Sequence, residues 1–168
     1  FPYTTLFRSF NRLNSHSHNL ESISKRISQG LKTGRDKIFV LENPIKMGPY
    51  LRGYSRALDE VIEVEEEACR PFIKSAQMRR YHFLPAKRAM IFPYYNRSLD
   101  NKVAVIQFSD FQTRFPRAAA YLANFEVELR NRERGKFNVN NLWHQYSRNQ
   151  ALDLPSCQKI VIADMLNH

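Results

Sequence analysis

The stretch from Pro116 to Gly135 constrains the fold of this chain more than any other. Ala118, Leu122, Phe125 and Leu129 recur at spacings of four, three and four, the period that places side chains on one face of an α-helix. Pro116 stands where a helix can begin and Gly135 where one can end. The spacing therefore predicts a long helix near 116–134 whose apolar stripe faces a core. Arg130, Arg132, Arg134 and Lys136 crowd its C-terminal end, where positive charge complements the helix dipole.

Short apolar runs surround this helix and read as strands. In 23–40 a first segment closes at Ile27, Gly30 and Gly34 frame Leu31-Lys32-Thr33, and a second segment follows at Ile38-Phe39-Val40-Leu41. Two glycines around a Thr predict a loop that needs positive φ or the close approach of another backbone. Asn43-Pro44 marks a break, because the residue before a proline is pushed away from helix. Val61-Ile62-Glu63-Val64 is strand-like, and 65–74 suits a short helix interrupted by Pro71. Ala89-Met90-Ile91-Phe92 forms a strand stopped by Pro93, Val103-Ala104-Val105-Ile106 forms another, and 159–168 ends the chain on an apolar run of strand character. Strands before and after a long helix give an α+β fold, a mixed β-sheet packed against that helix. No internal repeat divides the chain.

Phe1-Pro2-Tyr3-Thr4-Thr5-Leu6-Phe7-Arg8-Ser9 matches the translation of a common sequencing adapter, so residues 1–9 are expected to be non-native and to carry no information on the fold. With the abrupt apolar end, this predicts a domain truncated at both ends, residues 10–168 being a partial domain. At 43% hydrophobic and 12% aromatic residues over its full length, the chain has the composition of a folded unit and not of a disordered one. No run approaches the roughly 20 apolar residues of a membrane helix, and a soluble, cytoplasmic piece without a membrane partner is expected. Cys69 and Cys157 are too few for a disulfide framework and read as reduced core thiols. His16 and His18 lack the companions of a metal site.

Charge is segregated. Arg70, Lys74, Arg79, Arg80, Lys87, Arg88 and Arg97 lie between Ala68 and Ser98 with no Asp or Glu among them, directly after the acidic Asp59, Glu60, Glu63, Glu65, Glu66 and Glu67, in a chain of net charge +10. Such separation creates a local positive field that a polyanion would feel. Catalytic signatures are missing. An amino-group DNA methyltransferase needs an Asn/Asp/Ser-Pro-Pro-aromatic element to grip a flipped base and a glycine loop for the methyl donor, whereas Asn43-Pro44-Ile45-Lys46 has neither the second proline nor the aromatic and reads as a turn. No catalytic or metal-binding constellation is evident.

Three segments in order carry a family resemblance. The first is Ile27-Ser28-Gln29-Gly30-Leu31-Lys32-Thr33-Gly34-Arg35-Asp36-Lys37-Ile38-Phe39-Val40. The second joins Cys69-Arg70-Pro71-Phe72-Ile73-Lys74 with Met78-Arg79-Arg80-Tyr81 and Ile91-Phe92-Pro93-Tyr94. The third runs from Phe115-Pro116 through Tyr121-Leu122, Leu129-Arg130, Trp143, Tyr146 and Arg148 to Lys159-Ile160-Val161. Together, over roughly 22–168, these resemble the TaqI-like C-terminal specificity domain of adenine-specific DNA methyltransferases. Ser75 departs from the glycine common in that family after the position of Lys74.

The resemblance implies a module that reads duplex DNA for restriction-modification or phage-defence enzymes, some of which carry a nuclease in the same polypeptide. It implies no cofactor in this piece, the S-adenosylmethionine of the parent enzyme belonging to a catalytic domain upstream in the same polypeptide. Cations on phosphate oxygens would set register, and side chains on base edges would set specificity. Lys74, Arg79, Arg80, Lys87, Arg88 and Arg97 are the candidates for phosphate, with a merely solvated basic face as the plain alternative. Lys32, Thr33, Arg35 and Lys37, in a loop that can enter the major groove, and His144, Gln145 and Arg148 are the candidates for base readout. Tyr94, Tyr95, Trp143 and Tyr146 are candidate aromatic contacts, although Trp143 after Leu142 also suits a core anchor. A basic RNA-binding or other interaction domain unrelated to methylation is the alternative function.

Overall fold

A computed structural model describes Ser22 and residues 28–74, 86–96, 102–138 and 141–153. Residues 1–9, Ile27, His16, His18, Ser75, Cys157 and the terminal run 159–168 lie outside that description, as do Arg79, Arg80 and Arg97.

The fold is α+β. A turn of helix, α1 (Asp36–Phe39), leads into β1 (Val40–Met47), β2 (Tyr50–Ser55) and β3 (Glu60–Glu65). After the 3-10 turn Glu66–Ala68 come β4 (Cys69–Phe72) and β5 (Arg88–Ile91), and these five strands form one sheet in the order β3-β2-β1-β5-β4, antiparallel at every pairing. A separate hairpin joins β6 (Tyr94–Asn96) to β7 (Val103–Val105). Helices α2 (Phe108–Arg114), α3 (Pro116–Ala123) and α4 (Glu126–Arg130) follow, and then α5 (Arg132–Gly135).

Several sequence expectations change in detail. Ile38 and Phe39 belong to the helical turn and not to the strand that starts at Val40. β1 runs straight through Asn43-Pro44: the β1/β2 register shifts between Glu42 and Ile45, with Asn43 at φ 47. A bulge absorbs the proline, which would otherwise remove a ladder hydrogen bond. The segment expected as a helix around Pro71 is instead the 3-10 turn and then β4. β4 is an edge strand, a place where a residue without an N–H is tolerated.

The expected helix over 116–134 is present in pieces, α3 and α4, separated by Asn124 and Phe125. Its stripe survives, because Ala118, Leu122 and Leu129 are all fully buried and Phe125 packs at the core's edge. α5 is no regular helix: Glu133 and Arg134 take left-handed backbone at φ 49 and 62, and Gly135 follows at 82. Left-handed non-glycine residues in succession are costly, so this reversal needs support from its surroundings.

Leu41, Val64, Ala89 and Ile91 share one face of the sheet and belong to one buried core with Phe111, Phe115, Ala118 and Leu122 of the helices. The buried Tyr121 and Ser55 hydroxyls in it are paired. Tyr121 Oη donates to the Ile38 carbonyl at 2.8 Å and lies 2.7 Å from Ser55 Oγ, which thereby donates to it. α3 has no side-chain cap of its own. Glu65 on β3 supplies one, its two carboxylate oxygens accepting from the Arg117 and Ala118 N–H groups at 2.9 Å each, which satisfies donors the helix leaves open.

Candidate nucleic-acid interface

Arg132 organises the end of the molecule that carries most of the base-readout candidates. It is 1% exposed and continues the spacing of the apolar stripe, three residues beyond Leu129. Among the described residues no carboxylate forms an ion pair with it. Its Nε donates to the Leu129 carbonyl at 2.9 Å, Nη1 to Thr33 O at 2.7 Å, and Nη2 to Trp143 O and Gln145 O at 2.7 Å each. The guanidinium also lies over the rings of Phe137, at 4.6 Å, and Phe39, at 5.7 Å. Burial lowers its pKa to about 10, which still leaves it charged at neutral pH. Only a planar fork with five donors can tie three chain segments in this way.

The tie joins the loop at 32–37 to the loop at 143–148. Ser147 N donates to Thr33 O at 3.2 Å and Arg148 N to Lys32 O at 3.3 Å, closing an antiparallel bridge between Lys32 and Arg148. Gly34 turns the first loop at φ 80, and a Cβ there would overlap Ser147 Oγ. The expected need for positive φ and close approach holds at Gly34, whereas Gly30 has open space around it. Thr33 is 1% exposed and caps the turn: its Oγ1 donates to Asp36 Oδ1 at 2.6 Å and accepts from Arg35 N at 3.1 Å.

Lys32, Arg35, Lys37 and Arg148 are exposed around this joint. One carboxylate, Glu128 of α4, holds both Arg35 Nε (3.0 Å) and Lys37 Nζ (3.2 Å). Lys74 Nζ lies 3.7 Å from Asp36, which brings one phosphate candidate to the same end.

Other candidates are corrected by their burial. Thr33 is part of the joint, and His144 is fully buried with Nε2 2.8 Å from the Ile106 carbonyl, packed on Phe108, Phe111 and Trp143. Burial lowers the His144 pKa, and its Nδ1 has no partner among the described residues. Neither side chain is at a surface from which a base edge is reached. Gln145 is half-buried, its Oε1 accepting from Asn149 Nδ2 at 3.1 Å.

Tyr94, Trp143 and Tyr146 are core residues and not contact aromatics. Tyr146 Oη donates to Ile91 O at 2.5 Å, its N–H reaches Tyr94 Oη at 2.6 Å, and Tyr94 Oη donates to Asn149 Oδ1 at 2.9 Å. Burial pushes both phenol pKa values up. Tyr95 alone of the four is exposed, lining an open cleft of about 420 Å³ with Gln107, Asp110 and Arg114.

Of the phosphate candidates on the sheet, Lys87 is exposed. Arg88 is committed to its cross-strand neighbour Glu42, with Nε 3.4 Å from Oε1 and a side chain only 23% exposed, so it fastens β1 to β5. Cys69 is buried and unpaired, and burial raises its thiol pKa to about 12, which makes it the inert core thiol expected.

Among the described residues no helix is long and apolar enough to cross a membrane. No protein-family model matches the chain, and no curated protein matches it either.

Proposed function

We propose that this chain is the target-recognition module of an adenine-specific DNA methyltransferase, a cytoplasmic piece that reads duplex DNA beside a catalytic domain upstream in the same polypeptide. S-adenosylmethionine would bind that catalytic domain. One observation carries the reading. Arg132 locks two loops distant in sequence into one rigid joint rimmed by Lys32, Arg35, Lys37 and Arg148. Base readout needs side chains held to a fixed geometry by a shell that does not move.

The burial of Tyr94, Trp143 and Tyr146 favours duplex over single-stranded RNA, because single strands are bound by stacking bases on exposed aromatics. Among the described residues Tyr95 is the one exposed aromatic.

Selection of the full chain against a randomised duplex pool tests this. An enriched sequence motif is expected, with binding that weakens on the order of a hundredfold between about 50 and about 200 mM salt for some four phosphate contacts. Recovery of duplexes without any motif, or preference for single-stranded RNA over every duplex, would contradict it.

A further inference from the structure

Lys32 and Arg148 face each other across an antiparallel bridge. Directly opposed residues of such a bridge project to the same side with Cβ atoms about 5 Å apart, and like charges placed so repel. Three neighbouring cations are engaged by acids: Arg35 and Lys37 share Glu128, and Lys74 lies by Asp36. Among the described residues Lys32 and Arg148 have none, and both are exposed.

The backbone does not let the pair separate. Two hydrogen bonds close the bridge, Thr33 O is held from below by Arg132 Nη1 at 2.7 Å, and the same guanidinium fixes Gln145 O at 2.7 Å on the facing loop. The left-handed run after Arg132 and the Gly34 contact with Ser147 add to the same joint. Two uncompensated cations on a pinned support suit an anion with oxygens for both. A planar fork and a point charge can each take one non-bridging oxygen of a phosphate.

We propose that Lys32 and Arg148 form a two-pronged site for a backbone phosphodiester, positioning the duplex so that Arg35, once released by Glu128, reaches a base edge. The assignment rests on the duplex-DNA reading and moves Lys32 and Arg148 from base readout to register.

The test measures salt-dependent binding of the full chain, with Lys32→Gln, Arg148→Gln and the double variant, to two duplexes of unrelated sequence. The slope of log affinity against log salt is expected to fall by about 0.9 for each variant and about 1.8 for the double, equally on both duplexes. Lys32→Arg and Arg148→Lys should restore it, which separates charge from any effect on folding. Inorganic phosphate at matched ionic strength should not displace the duplex.

Unchanged slopes, or a loss confined to one sequence, would overturn the site while leaving the DNA reading intact. Displacement by inorganic phosphate would make it a free-anion site and overturn it too. Absence of duplex binding by the unaltered chain at low salt would overturn the DNA reading and this site together.

Discussion

Arg132 shows how much a single side chain can decide. Lysine keeps the charge but has three donors on one nitrogen and cannot span the carbonyls of Leu129, Thr33, Trp143 and Gln145. Arg132→Lys is expected to cost roughly 3 kcal/mol in denaturant unfolding, since hydrogen bonds to a charged group contribute about 1.5–3 kcal/mol each. A loss under about 1 kcal/mol would show that the joint does not depend on the fork. The residue was readable in part, because it continues the four-three-four spacing of the stripe. Its place among Arg130, Arg134 and Lys136 disguised it as dipole-complementing charge.

His144 gives a pH dependence at the same scale. Burial holds its pKa below the ordinary 6.5, Arg132 adds a nearby positive charge, and the hydrogen bond to Ile106 O acts in the opposite sense. The folded state therefore prefers the neutral ring. Its contribution to stability is complete above about pH 6.5 and is lost as acid drives the unfolded chain to take up the proton first. His144→Gln should flatten this part of the stability profile, and an unchanged acid limb would rule His144 out as its source. Glu128→Gln should tighten duplex binding several-fold at low salt, because Arg35 and Lys37 lose the carboxylate that both now engage. No change would mean that this carboxylate does not compete with DNA.

At the scale of elements, the first hairpin depends on Gly48, the leading residue of a two-residue turn at φ 61 between the paired Met47 and Tyr50. Turns of this length take glycine there because a β-branched residue is strained at positive φ. Gly48→Val is expected to cost about 1–2 kcal/mol and to lower the thermal midpoint by several degrees. A variant as stable as the parent would mean that the turn relaxes freely.

β3, β5 and β7 were legible because apolar or alternating runs mark them. β2 was missed: Leu51-Arg52-Gly53-Tyr54 has no alternation, and Gly53 is buried where Leu41 and the Glu42 backbone approach it. Pro44 and Pro71 read as breaks, although a bulge and a sheet edge accommodate them. Such tolerance comes from neighbouring strands, which local sequence does not contain. The stripe over 116–134 was legible as one helix, whereas its division at Asn124-Phe125 was not.

For the whole molecule, the α+β class followed from the order of periodic segments, and the basic loop at 32–37 was visible from its glycines and cations. What brings Arg148 beside that loop was not visible, since the pairing spans more than a hundred residues and runs through an arginine buried among carbonyls. The aromatic candidates failed for the complementary reason: a Tyr or Trp beside polar residues in sequence can face inward in space, and Tyr94, Trp143 and Tyr146 do. Among the described residues the molecule carries cations at its rim and its aromatic groups largely inside, a division that suits the proposed duplex binding better than base stacking.

The most direct test is competition. The full chain, bound to a labelled duplex carrying its selected site, is challenged with unlabelled duplex of the same site, unlabelled random duplex and single-stranded RNA. Displacement is expected by the same-site duplex at the lowest concentration, by random duplex only at far higher concentration, and by single-stranded RNA least of all. Equal displacement by all three, or strongest displacement by RNA, would contradict it.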